Sequence, residues 1–265
     1  MLRPYNTSRL MNDTILSRLN EIEQTHHVTI LYACESGSRA WGFPSADSDY
    51  DVRFIYLNPT EWYLSVAEKR DVIEVPIDDQ LDINGWDLKK ALQLFRKSNP
   101  PLLEWLGSPI VYMEKFSSAM KMRELAKTYY SPLACIHHYL HMAQGNYRHY
   151  LIGNEIWTKK YFYVLRPLLS ILWIEAGYGV TPTSFGTLLE RINLPTELKE
   201  EIQKLIVLKS AGDELAHGPR IPIISDYIEQ ELTRLENLQA KYKNNAAPYQ
   251  ELDQIFLDAL AEVWG

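Results

Sequence analysis

Two aspartates two residues apart, Asp49 and Asp51, follow a Gly37-Ser38 turn after ten intervening residues. The runs on either side are Val28-Thr29-Ile30-Leu31-Tyr32-Ala33-Cys34 and Tyr50-Asp51-Val52-Arg53-Phe54-Ile55-Tyr56-Leu57. Both are rich in β-branched and aromatic residues and read as strands, so the order is strand, turn, short polar segment, strand. Side chains alternate across a strand, which puts Asp49, Asp51 and Arg53 on one face. Like charges this close repel unless a cation lies between them. Magnesium takes one or two carboxylates alongside water and substrate phosphates, and so suits a half-open pair. Glycine at 37 lets the backbone approach a phosphate, and Ser38 adds a hydroxyl beside backbone N–H donors. An Asp-x-Asp pair alone is common and usually solvated; its conjunction with the Gly-Ser turn points to metal-dependent phosphoryl transfer. Arg53 either pairs with one of the acids or contacts substrate.

The motif Gly37-Ser38-(ten residues)-Asp49-Tyr50-Asp51 resembles the signature of the polymerase-β-type nucleotidyltransferase superfamily. The longer wording, Glu35-Ser36-Gly37-Ser38-Arg39-Ala40-Trp41-Gly42 with Ser48-Asp49-Tyr50-Asp51-Val52-Arg53, resembles a bacterial and phage branch predicted to act in RNA repair. The resemblance implies an α+β chain: a nucleotidyltransferase-like mixed sheet with flanking helices over residues 1–116, then a helical domain over 117–265 that closes the cleft. It further implies a nucleoside triphosphate substrate bound at Gly37, Ser38, Arg39 and Ser48. The expected cofactor is Mg2+, with Mn2+ as the alternative, held by Asp49, Asp51 and a third carboxylate from a later strand.

In Gln80-Leu81-Asp82-Ile83-Asn84-Gly85-Trp86-Asp87, Asp82 lies between two apolar residues that face the opposite way, and it is the preferred third carboxylate. Asp87 competes, but it precedes a stretch with apolar positions at 88, 91, 92 and 95, and so reads as a helix N-cap or first-turn acid. Asp78 and Asp79 read as an exposed acidic turn.

Periodicity divides the chain. Residues 9–26 read as an amphipathic helix with Leu10, Ile15, Leu16, Leu19 and Ile22 on one side, and strands and helices then alternate as far as Val111-Tyr112. Beyond about residue 117 the pattern is helical almost throughout, over 119–128, 132–151, 158–175, 195–210, 225–243 and 248–264. In Trp157-Thr158-Lys159-Lys160-Tyr161-Phe162-Tyr163-Val164-Leu165-Arg166 cations alternate with aromatics that could stack on a base. The resemblance adds that a second domain commonly supplies a base to hold triphosphate, which makes Lys159, Lys160 and Tyr163 candidates. Helical spacing groups Lys159, Tyr163 and Arg166 on one face and offsets Lys160 by about 100°. The competing reading is a helix whose basic side faces water while Phe162 and Leu165 enter the core.

Three other stretches read as structural. His137 and His141 are four apart, a chelating spacing, but no glutamate or third ligand completes a zinc site. Asp213-Glu214-Leu215-Ala216-His217-Gly218-Pro219 reads as a helix end with a Gly-Pro stop. Lys97-Ser98-Asn99-Pro100 ends the helix begun near Asp87, because proline disfavours helical geometry in the residue before it. The resemblance implies that this last turn borders the active cleft.

A net charge of −7 argues against broad adhesion to nucleic acid, since duplex affinity comes from neutralising phosphates, although a local basic channel remains compatible with it. Two cysteines give neither a disulfide framework nor a Cys-x-x-Cys metal pattern. The first residues lack the apolar core of a signal peptide, and the most apolar later run, 165–174, is interrupted by Arg166 and Pro167. The expectation is a cytoplasmic protein with no membrane contact. The same metal geometry serves an RNA 3′ end, a small hydroxylated molecule or a protein side chain, so the acceptor stays open. A noncatalytic nucleotide sensor is the other class of function, though a degenerate member is expected to lose a carboxylate and all three candidates are present.

Overall fold

The computed structural model describes residues 4–45, 48–77, 80–212, 217–236 and 248–265, with side chains from Leu10 onward. Asp78, Asp79 and the segment 213–216 lie outside the described residues, as does the end of the helix expected over 225–243. The N-terminal part runs α1 (Pro4–His26), β1 (Thr29–Glu35), α2 (Ser38–Trp41), β2 (Tyr50–Leu57), α3 (Thr60–Tyr63), β3 (Val72–Glu74), β4 (Leu81–Asp87), α4 (Leu88–Arg96), α5 (Pro100–Leu106) and β5 (Val111–Glu114). The helical part comprises α6 (Ser118–Tyr129), α7 (Pro132–Tyr150), β6 (Glu155–Trp157), α8 (Tyr161–Glu175), α9 (Phe185–Arg191), α10 (Thr196–Ser210), β7 (His217–Pro219), α11 (Pro222–Leu235) and α12 (Gln250–Trp264).

The fold is α+β, a mixed sheet with flanking helices. Strand order is β3-β4-β2-β1-β5, with β2 and β4 parallel and the other neighbours antiparallel. β1 is buried from Ile30 onward because both sheet faces are covered, which is why it reads as a continuous apolar run. On one face, Ile15, Leu19 and Ile22 of α1 pack with Ile30, Val52, Phe54 and Ile83. Leu10 belongs to the expected apolar stripe of this helix but is 61% exposed and is not part of the cluster formed by Ile15, Leu19 and Ile22. On the other face, Leu31, Ile55, Leu57 and Phe95 join one apolar cluster with Leu165, Leu168, Ile171 and Ile228 of the helical part. Each such fully buried side chain contributes about 1.5–3 kcal/mol. At β2 and β4, therefore, even and odd positions have different fates: Val52, Phe54 and Ile83 face α1, while Asp51, Arg53 and Asp82 face the helical part.

Gly85 on β4 is opposite Phe54, whose ring lies 2.3 Å from where a Cβ would stand, so the two strands pair here only with glycine. Helix starts follow local chemistry. Asp87 accepts from the Lys89 N–H at 2.8 Å, Asn99 from the Leu102 N–H at 3.1 Å and Ser131 from the Ala134 N–H at 3.3 Å.

Two expectations for the helical part are corrected. His217-Gly218-Pro219 is not a helix end but a strand, paired antiparallel with Glu155–Trp157; a ribbon this short lacks a hydrophobic period to announce it. Residues 158–175 are not one helix either, because Thr158–Lys160 forms a 3-10 turn before α8. The Lys97–Pro100 turn meets the α6–α7 junction, with the Ser98 hydroxyl donating to the Tyr129 carbonyl at 2.6 Å and accepting from the Ser131 N–H at 2.8 Å. Among the described residues no helix is long and apolar enough to cross a membrane.

Candidate active site

The Gly-Ser turn leaves β1 directly beneath the first acid of β2. A Cβ at Gly37 would stand 1.6 Å from an Asp51 carboxylate oxygen, so the need at this position is for close approach. Glu35 holds the same junction from inside. It is fully buried at the end of β1 and accepts from the Asp51 N–H at 2.9 Å, from the Tyr112 hydroxyl at 2.6 Å and, more weakly, from the Gly37 N–H at 3.4 Å. Its carbonyl accepts from the Ser108 hydroxyl at 2.6 Å, and the Ser36 N–H donates to the Asp51 carbonyl at 2.9 Å. Glu35 had no role assigned from sequence; a charged residue closing an otherwise apolar strand was the signal. Gly37→Ala is expected to cost about 1–3 kcal/mol through overpacking. Because the colliding group is the Asp51 side chain, the same change in an Asp51→Gly background should cost much less, and thermal melts of the four proteins read that coupling.

Asp51 pairs in register with Asp82 across the parallel β2–β4 ladder. The Arg53 guanidinium reaches both, at 3.3 Å from Asp51 and 2.7 Å from Asp82, and also donates to the Asp82 carbonyl at 2.8 Å. Of its two alternatives from sequence, the ion pair is the one seen, made with two acids. Burial pushes the Asp51 carboxyl up to about 6; the charges of Glu35, Asp82 and Asp49 add to this and Arg53 opposes it. Asp87 sits five residues further along β4, buried, accepting from the Tyr63 hydroxyl at 2.6 Å and from Asn58 at 2.8 Å besides capping α4.

Arg39 braces the polar segment. It donates to the carbonyls of Ser48 at 2.7 Å and Asp49 at 3.3 Å, and its guanidinium lies 3.6 Å from the Tyr50 ring centroid. The Ser48 hydroxyl accepts from the Ser45 N–H at 2.9 Å.

From the helical part, Tyr163 approaches the acids. Its ring meets Trp41 of α2 edge-on at 5.7 Å, and the charges of Asp51 and Asp49 contribute, after burial, to raising its hydroxyl pKa. Of the grouping expected from helical spacing, Tyr163 and Arg166 do share a face, both meeting Trp41, while Lys159 departs from it. Lys160, three residues before Tyr163 and so its neighbour on the helix surface, lies over Tyr163 at 4.2 Å and over Tyr150 at 4.5 Å, while Lys159, within the 3-10 turn, lies over Trp157 at 5.4 Å. Burial, then Lys159, lowers the Lys160 pKa. Arg166 faces neither water nor the acids; it is buried against Glu104 at 3.0 Å, with its guanidinium 5.0 Å from the Trp41 ring.

Burial first, and then the neighbouring carboxylates, raise the Asp51 pKa, and carboxylate oxygens are donors that fit a hard divalent cation. They are not drawn together, however: among the described residues no three His, Cys, Asp or Glu side chains are grouped to hold an ion, and Arg53 supplies the positive charge between Asp51 and Asp82. His137 and His141 likewise form no such group.

A protein of Bacillus subtilis strain 168, named as the uncharacterized protein YcgL, is 48% identical over 258 residues, covering 96% of this chain and 98% of its own. A crystal structure of a nucleotidyltransferase-like protein from Exiguobacterium sibiricum 255-15 is matched over 96% of this chain and 81% of its own at 10% identity, with a TM-score of 0.32. Residues 11–258 match the RNA repair pathway DNA polymerase beta family. With nearly the whole length of the chain matched, and the Gly-Ser turn packed on the acid of β2, this protein belongs to the RNA repair pathway DNA polymerase beta family.

Proposed function

We propose that the protein is a metal-dependent nucleotidyltransferase that moves a nucleoside monophosphate from a triphosphate to an acceptor hydroxyl, the acceptor being an RNA 3′ end. The observation that carries this reading is the packing of the Asp51 carboxylate on Gly37, in register with Asp82 and beside Asp49, on the sheet face that meets the helical part. A divalent cation, Mg2+ or Mn2+, held by Asp49, Asp51 and Asp82 would neutralise triphosphate charge and polarise the α-phosphorus. Gly37 and Ser38 receive the terminal phosphates, and Arg39 with Ser48 keeps the loop before Asp49 in place. Lys160 and Tyr163 hold the nucleotide from the helical side, Lys159 adds positive charge further out, and residues 117–265 act as the cleft-closing domain. The acceptor oxygen forms a bond to the α-phosphorus as the bond to the β-phosphate oxygen breaks, pyrophosphate leaves with the electron pair, and the hydroxyl proton passes to Asp82. No covalent enzyme intermediate is needed, so alignment and charge neutralisation carry the rate.

The test is incubation with each α-32P-labelled triphosphate, Mg2+ or Mn2+, and a pool of short RNA, tRNA, aminoglycoside and cell lysate. Label on RNA only with the intact acids is the expected result; label on a small molecule or a protein reassigns the acceptor. A noncatalytic nucleotide sensor is the second reading, favoured by the Arg53 guanidinium standing between Asp51 and Asp82. Tight triphosphate binding with no label transferred would select it.

A further inference from the structure

The β6–β7 ribbon and the 3-10 turn that follows β6 form a continuous surface, of which the reaction above uses the end near Tyr163 and leaves Trp157 and His217 without a role. Trp157 of β6 is 38% exposed, and its ring meets that of His217 on β7 at 4.4 Å. Lys159 lies 5.4 Å from the Trp157 ring centroid. Lys160 follows, between Tyr150 and Tyr163, and Tyr163 ends the row next to Asp51 and Asp49. Neither lysine makes an ion pair with a described residue, in a chain whose net charge is −7. Exposed aromatics and cations in alternation offer stacking planes and phosphate contacts for a single strand. From Trp157 to Tyr163 the backbone rises about 10 Å, the length of roughly three stacked nucleotides.

We propose that this face receives the single-stranded 3′ end of an RNA acceptor, with bases stacked on Trp157 and His217 and a backbone phosphate on Lys159, so that the terminal hydroxyl arrives beside Tyr163 and the acids. The direction follows from chemistry: only the last nucleotide needs the carboxylates, so the stacking pair at the outer end holds the nucleotides before it. The assignment rests on the transferase reading for which end of the row is the reacting one, but binding itself requires no turnover.

The experiment therefore uses the full-length Asp51→Asn protein and the anisotropy of a 5′-fluorescein-labelled RNA decamer with a free 3′ hydroxyl. Trp157→Ala is expected to weaken binding by about 5- to 100-fold, and Trp157→Phe to restore most of it. Lys159→Ala, an exposed change, should lower the slope of log affinity against log salt by about one. Melting curves confirm that each variant is folded. Binding by Trp157→Ala and Lys159→Ala equal to that of the parent would overturn the assignment, as would the absence of any RNA binding by the parent. Equal binding of a DNA decamer would overturn the restriction to RNA. Because Asp51→Asn binds without transferring, failure of the catalytic reading would show as RNA binding with no label moved by the wild type, a result distinct from all of these.

Discussion

Asp51→Asn is expected to abolish nucleotidyl transfer, by about 10^3-fold or more, and at the same time to raise the melting temperature at pH 8. The two effects have one cause. The Asp51 carboxyl is pushed up to about 6 from 3.8, chiefly by burial and further by Glu35, Asp82 and Asp49. A carboxyl with a raised folded-state pKa prefers its neutral form in the fold. Its contribution to stability is complete below about pH 3.8, where both states are protonated, declines as the pH rises, and is lost above about pH 6. A shift of this size corresponds to at most about 3 kcal/mol, and because the side chain is 31% exposed, solvent screening brings the expected gain nearer 1–2 kcal/mol. For a chain of this length that is about 3–6 °C at pH 8, shrinking towards zero at pH 4. Mg2+ should stabilise the wild type by mass action and the variant much less. Melting curves at the two pH values, with and without Mg2+, read all three effects; a variant less stable than wild type at pH 8, or one that still transfers label, would sink the assignment.

Replacing Arg166 should unfold the protein more readily than any other single loss of charge discussed. Its guanidinium donates to Glu104 at 3.0 Å and more distantly to the Thr183 carbonyl at 3.4 Å, and Glu104 also accepts from the Tyr139 hydroxyl at 2.7 Å. Methionine in its place leaves a largely buried carboxylate with one neutral donor, which typically costs about 3–5 kcal/mol, or roughly 10 °C here. The pair need not be stabilising in itself, since desolvating two charges offsets most of their attraction. The double variant Arg166→Met with Glu104→Gln should accordingly recover much of the loss. A melting temperature unchanged in Arg166→Met would falsify this account. Since Arg166 also lies over Trp41 of the motif helix, the same variant should loosen the contact between Trp41 and Tyr163.

Strand alternation was legible from residues alone. Leu81 and Ile83 flank Asp82 and face α1, and Asp51 and Arg53 occupy the face opposite Val52 and Phe54. The capping role of Asp87 was legible too, because it depends on a backbone N–H only two residues away. Arg166 was not, since periodicity placed it on a face with Lys159 and Tyr163 but says nothing about what covers that face. The cover is Glu104 on α5, sixty-two residues earlier. Lys159 departs from the face expected of it because it belongs to a 3-10 turn beside Trp157, and the β6–β7 pairing joins segments some sixty residues apart with too few residues for either to show a period.

What the sequence by itself determined is local: a turn that needs glycine, acids two apart on one face, apolar runs of strand and helix period, and caps. These rest on backbone sterics and on contacts within a few residues. Tertiary structure alone decided which charges are buried together. The pairing of Arg53 with both Asp51 and Asp82 depends on the register of the parallel β2–β4 ladder, the anchoring of Asp51 by Glu35 on the antiparallel β1–β2 pairing, and the closure of Arg166 on Glu104 on the packing of α8 against α5. An electrostatic partner is chosen by distance and desolvation in space, and neither quantity is set by spacing along the chain.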